Sequence, residues 1–180
     1  MNIKTIFFFA LLLMFIFHPL HASESAWFAN GKPSQDTENE KSKDGFGVQL
    51  WLTTDGNLYE EWSKPEVPEW TVTKRAKRNK PVYAVIIFIN PPVNEKGECD
   101  ISGDILIRQP DGKVYADIKD FKIWQNKPAP PKNNIGLAEN DVTIMIENND
   151  PLGIYTIDVL VKDRVKKITI PLHYEFIAEE

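Results

Sequence analysis

From Gly45 onward the chain alternates apolar and polar positions. FGVQLWLTT sets Phe46, Val48, Leu50 and Leu52 on one side, and ISGDILIRQ does the same with Ile101, Gly103, Ile105 and Ile107. In DVTIMIE, Val142, Ile144 and Ile146 alternate with Thr143, Met145 and Glu147. IYTIDVLVKD aligns Tyr155, Ile157, Val159 and Val161, and KKITIPLHYEF aligns Ile168, Ile170, Leu172, Tyr174 and Phe176. Period-two alternation predicts strands with one buried face. VYAVIIFI, Val82 to Ile89, is apolar at every position and predicts a strand covered on both faces, the most buried of the chain.

The segments between these runs are rich in turn-formers. A DGN turn at 55–57 precedes LYEEW, and the prolines of SKPEVPEW exclude a central strand because proline cannot donate to a ladder. NPPVNEKGECD reads as irregular. The PDGK tetrad at 110–113 is a turn with a mechanism, since proline presets φ and glycine accepts the left-handed conformation; it predicts a hairpin that pairs VYADI with the preceding strand. FKIW, a Pro/Asn connection (QNKPAPPKNN) and IGLA follow, and the last two strands meet at Asp163–Arg164. The whole predicts an all-β fold over 45–180, an antiparallel sandwich of about seven to nine strands in a single domain, without a convincing helix or a fixed repeat.

Ahead of this domain lie two segments of different character. Residues 1–22 have a single lysine (Lys4), an unbroken apolar run from Ile6 to Phe17, Pro19 and a small residue at Ala22, the pattern of a secretory signal peptide cleaved after Ala22. The run is short of the roughly 20 apolar residues that span a bilayer, so no membrane span is expected after cleavage. Residues 23–44 are charged and small polar except for Trp27 and Phe28, and predict a flexible polar leader with those two rings as its only anchors.

Composition narrows the compartment and the partners. The formal charge is −5, or −6 once Lys4 leaves with the signal. Export and overall acidity together argue against nucleic acid. With Cys99 as the only cysteine, no intrachain disulfide exists and the fold must rest on its apolar core. Cys99 itself falls in NEKGECD, a loop-like stretch beside acids. The chain is expected to be periplasmic or secreted, and monomeric.

DPLGIYTIDVLVKD resembles the penultimate strand of immunoglobulin-like and fibronectin type III-like β-sandwich domains, where Asp, Gly and Tyr precede an alternating run. The resemblance, which covers Asp150 to Phe176, implies that Tyr155 ties its hydroxyl to nearby backbone at the turn into the strand. Ile157 stands where antibody domains place a cysteine, which brings the chain nearer the disulfide-free bacterial immunoglobulin-like domains.

Candidate chemistry is sparse. KRAKRNK concentrates Lys74, Arg75, Lys77, Arg78 and Lys80 in seven positions. Flanked by WTVTK and VYAVIIFI, it predicts a basic hairpin tip able to attract phosphate- or carboxylate-rich partners, or one that keeps edges from pairing. His173 is the one histidine outside the signal and shares a strand face with Thr169, Pro171 and Glu175, a solvated face rather than a catalytic one. Glu147 to Asp150 (ENND) lacks calcium-loop spacing and reads as an Asx turn. Trp51, Trp62, Trp70 and Trp124 serve either as packing or as a sugar platform. The sequence thus predicts a non-catalytic exported module without cofactor or metal, binding another envelope or extracellular protein or serving a structural role. The alternative is a carbohydrate-binding module, and a hydrolase of unrecognised kind stands third.

Overall fold

The structure, a computed structural model, describes residues 25–180; the expected signal peptide lies outside them. Twelve strands and one short helix are described: β1 (Phe28–Ala29), β2 (Lys32–Pro33), β3 (Glu40–Lys43), β4 (Phe46–Thr53), α1 (Leu58–Trp62), β5 (Arg75–Lys77), β6 (Pro81–Ile89), β7 (Glu98–Arg108), β8 (Val114–Pro128), β9 (Ile135–Leu137), β10 (Val142–Met145), β11 (Gly153–Asp163) and β12 (Ile168–Glu179). One five-stranded sheet runs β10-β6-β4-β3, with β9 also on β6. The other runs β5-β12-β11-β7-β8, and β1 and β2 form a separate hairpin.

The strands face each other as the alternation demands. Phe46, Val48, Leu50 and Leu52 of β4 and Val82, Ala84, Ile86 and Phe88 of β6 meet the inward residues of β7, β11 and β12 in one continuous buried cluster. Four of the twelve strands have only two or three residues and no alternation to read (β1, β2, β5, β9), which is why the count exceeds the seven to nine expected. The sandwich is also not purely antiparallel: β5 pairs in parallel with the end of β12, Arg75 opposite Ile177, Ala76 opposite Ala178 and Lys77 opposite Glu179. Pro171 is tolerated inside β12 because β5 covers only the last three residues of that edge. At the opposite edge, four register shifts break the β7–β8 ladder, a device that twists a long exposed strand out of reach of other chains. Tyr155 donates its hydroxyl to the Pro151 carbonyl (2.9 Å), the bond that the resemblance implied.

Because β6 is apolar on both faces, its outward Val85, Ile87 and Ile89 need a second cover. A second cluster supplies it: Ala26 and Trp27 from the segment before β1, Leu58 of α1 and Leu137 of β9 are buried on these residues, with Trp51, Tyr59, Trp62, Trp70 and Tyr83 packed around them. LYEEW, for which no helix was predicted, forms one helical turn that places Leu58 and Trp62 four residues apart on a single face. The chain from 63 to 74 is then fastened by the Thr71 N–H to the Asp55 carboxylate (2.5 Å) and by the Thr73 N–H to the Leu52 carbonyl (2.8 Å).

The segment expected to be a flexible leader is therefore laid onto the sandwich. Trp27 is buried while Phe28 is 65% exposed, so only one of the two expected anchors is used. The Ser42 hydroxyl accepts the Ala26 N–H (3.0 Å), and a Cβ added at Gly47 would lie 2.6 Å from Trp27 Nε1, so glycine there lets the indole approach β4. Replacing Trp27 with Ala is expected to lower unfolding stability by about 3 kcal/mol, and Phe28→Ala to change it by less than about 0.5 kcal/mol. Urea denaturation of the two variants checks this, and equal small effects would contradict the anchor.

Candidate functional site: a basic groove beside β5

The basic run does not form a hairpin tip. WTVTK contributes only a single bridge, Val72 to Thr53, and β5 and β6 lie in different sheets. Ala76 is the reason: its small apolar side chain is fully buried opposite Ala178, which draws the charged chain around it into the edge of the second sheet. A turn then reverses the chain, with the Lys80 N–H bonded to the Lys77 carbonyl (3.0 Å) and Asn79 in the left-handed region (φ 56°).

This geometry divides the five cations. The Lys74 ammonium sits 5.8 Å from the centre of the Tyr174 ring. Arg75 pairs with Glu179. Arg78, whose side chain is only 15% exposed, turns away toward the 147–150 turn, where its guanidinium donates to Glu180 (3.2 Å), to the Asp150 carbonyl (3.3 Å) and to the Glu147 carbonyl. Arg75, Lys77 and Lys80 line a groove of about 470 Å³ together with Thr54, Thr73, Pro81, Val82 and Glu179. Three cations against one carboxylate give this recess a net positive lining. Its edge is not open for strand addition at Arg75, because the Thr73 hydroxyl accepts the Arg75 N–H (3.0 Å) and donates to the Arg75 carbonyl (3.1 Å).

Thr54, Thr73 and Glu179 went unnoticed in the sequence because only the parallel β5–β12 pairing gathers them here. The one sequence signal for it is the Glu179-Glu180 pair, opposite in sign to the basic run, which local patterning does not connect to it.

The other candidate residues are placed as follows. The carbonyls of Glu147 and Asp150 point at Arg78, the Asp150 N–H bonds the Glu147 carbonyl (3.1 Å) and the Asp150 carboxylate accepts the Glu147 N–H (2.8 Å), so in place of the expected Asx turn this is a four-residue β-turn closed around a guanidinium. Among the described residues no group of three or more His, Cys, Asp or Glu side chains is arranged to hold a metal ion. None of the five tryptophans is fully exposed. Trp62 and Trp124 share a second recess of about 340 Å³ with Pro128, Pro130 and Pro131. Trp124 meets Phe88 edge-on (centroids 5.6 Å apart) and donates its ring N–H to the Pro128 carbonyl (3.1 Å), so much of its surface is already used.

Cys99 is not in a loop. It lies on β7, fully buried in the main core, and burial together with Asp163 and Asp100 pushes its thiol up to about 11. His173 stands on the outer face of the second sheet with Nδ1 2.7 Å from Asp158 and Nε2 3.7 Å from Glu175, and its backbone N–H bonds the Glu38 carbonyl (2.8 Å). The hydrogen bond to Asp158 raises its pKa against the opposing effect of burial.

No protein-family model matches the chain, and no curated protein matches it. Among solved structures it is similar to a family 123 glycoside hydrolase from Clostridium perfringens, at 14% identity and a TM-score of 0.43, over 74% of this chain and 27% of that one. The chain thus spans about a quarter of that enzyme, and a likeness of this degree carries no inference about activity.

Two solution measurements test this placement. Cys99 is expected to resist a thiol reagent at pH 8 in the native protein and to react at once in denaturant; rapid native labelling would contradict its burial. His173 holds its proton more tightly folded than unfolded, so its ion pairs contribute fully below about pH 6.5, the unfolded value, and that contribution is lost as pH rises through the higher folded value. The stability gap between the wild type and His173→Gln is accordingly expected to narrow from pH 6 toward pH 8 in denaturation curves, and a widening gap would refute the assignment.

Proposed function

We propose that this chain is an exported, non-catalytic, immunoglobulin-like module that binds another protein of the envelope or extracellular space through the groove beside β5. The carrying observation is the arrangement of Arg75, Lys77 and Lys80 around one recess at a sheet edge, in a chain that is otherwise acidic. Cations gathered at a sheet edge and its adjoining turn steer an acidic partner and fix its orientation. The signal-like pattern of residues 1–22 supports export, and the Tyr155 to Pro151 bond supports kinship with immunoglobulin-like domains. The glycan alternative draws on Trp62 and Trp124, but two half-buried indoles, one already engaged, offer a sugar little flat surface.

The reading is tested by retaining proteins from the exported fraction of the source cells on the immobilised chain, identifying them by mass spectrometry, and titrating the purified candidate by calorimetry. One partner binding at a fixed stoichiometry is the expected outcome. Failure to find any such protein, together with quenching of tryptophan fluorescence by an envelope glycan, would replace it with the glycan reading.

A further inference from the structure

We infer that the groove beside β5 takes an extended acidic peptide segment with carboxylates at alternating positions, gripped by Lys77 and Lys80 and completed by Arg75. The inference rests on the protein-binding reading above and names the chemistry of the segment recognised.

The cations are unequal. Among the described residues, Arg75 and Arg78 have carboxylate partners, Glu179 and Glu180, whereas Lys77 and Lys80 have none, although both line the recess. Two uncompensated ammonium groups facing one cavity favour an anionic occupant. Spacing then selects among anions. Arg75 and Lys77 are two residues apart on one strand, so they leave the same face roughly 7 Å from each other. An extended peptide lying along β5 presents its own i and i+2 side chains at that interval and meets each cation with a separate carboxylate. A single phosphate group is too small to bridge that interval, and a flat anionic membrane would need the cations on a protruding tip instead of in a recess.

The chain provides a local precedent. Glu179 stands opposite Lys77 in the parallel ladder and its carboxylate reaches Arg75, so one wall of the groove already accommodates an acidic side chain from a neighbouring strand. Thr73 closes the Arg75 backbone groups, which leaves recognition there to side chains. Binding dominated by exposed ion pairs is strongly salt-dependent. Glu179 also acts as an internal competitor: a partner carboxylate that engages Arg75 must share it with, or take it from, Glu179.

The test measures fluorescence anisotropy of two labelled peptides of equal composition, one with glutamates at alternating positions and one with them consecutive, against the purified protein. At about 50 mM salt the wild type is expected to bind the alternating peptide about tenfold more tightly than its isomer, and to lose most of that affinity at about 300 mM. Lys77→Gln/Lys80→Gln should weaken binding by about tenfold or more, Lys43→Gln/Lys166→Gln by less than about twofold, and Glu179→Gln should tighten it by freeing Arg75. Unchanged thermal midpoints verify that the variants fold, as expected for exposed lysines outside any ion pair.

Equal binding of the two peptides, indifference to Lys77→Gln/Lys80→Gln, or stronger binding of inorganic phosphate or of phosphatidylglycerol vesicles than of the alternating peptide overturns the inference. Partner capture that survives Lys77→Gln/Lys80→Gln also overturns it, and with it the groove as the docking place, while leaving protein binding itself in place. Groove-dependent peptide binding with no protein partner recoverable does the reverse.

Discussion

A strand with no polar face has to be buried twice. β6 directs Val82, Ala84, Ile86 and Phe88 into the sandwich and Val85, Ile87 and Ile89 away from it. Leaving the outward three in water would forfeit about 2 kcal/mol each, a large part of the margin by which a domain of this size is stable. The segment ahead of β3 and the excursion between β4 and β5 are shaped by this demand: Trp27 comes down from one side and Leu58 with Trp62 from the other. Once the excursion is pinned there, the chain stays bonded to β4 through Thr73 and crosses to the far sheet at Lys74, where the burial of Ala76 sets β5 alongside β12. The groove is thus a downstream result of covering β6.

Long alternating runs proved legible because their periodicity is repeated often enough to be unambiguous. Every inward residue read from β4, β7, β10, β11 and β12 is buried, and the Pro-Asp-Gly turn joins β7 to β8 as its chemistry requires. What the sequence concealed is decided by tertiary contacts. β5 has one apolar residue, Ala76, between charges, and no local pattern distinguishes it from a solvated loop. Cys99 and its neighbours look like a turn because Gly97 and the acids dominate the window, yet β7 begins one residue earlier and buries the thiol. The polar segment 25–44 was read from its mean composition, whereas a single indole settles where it lies.

The candidate site was half legible for the same reason. The basic cluster was visible as composition, and its five members stand out as a group, but their separation into paired and unpaired cations depends on residues about a hundred positions away: Arg75 and Arg78 find Glu179 and Glu180. Nor did composition reveal that Arg78 closes the 147–150 turn, with Asn79 adding a bond to Asn148 (2.8 Å). Arg78 is a structural residue that happens to lie in a basic run, while Lys77 and Lys80, identical to it in charge, are left over.

The parallel register of β5 and β12 also has a mechanical meaning. When a load draws the end of β12 one way and the chain ahead of β5 the other, two strands of like direction slide past each other, so the Ile177–Lys74 and Arg78–Glu179 bonds bear the force together and do not open one at a time. A clasp loaded in shear yields later than one that unzips. A short, charged strand that contributes little to the core thereby becomes the latch that such a load would have to break first.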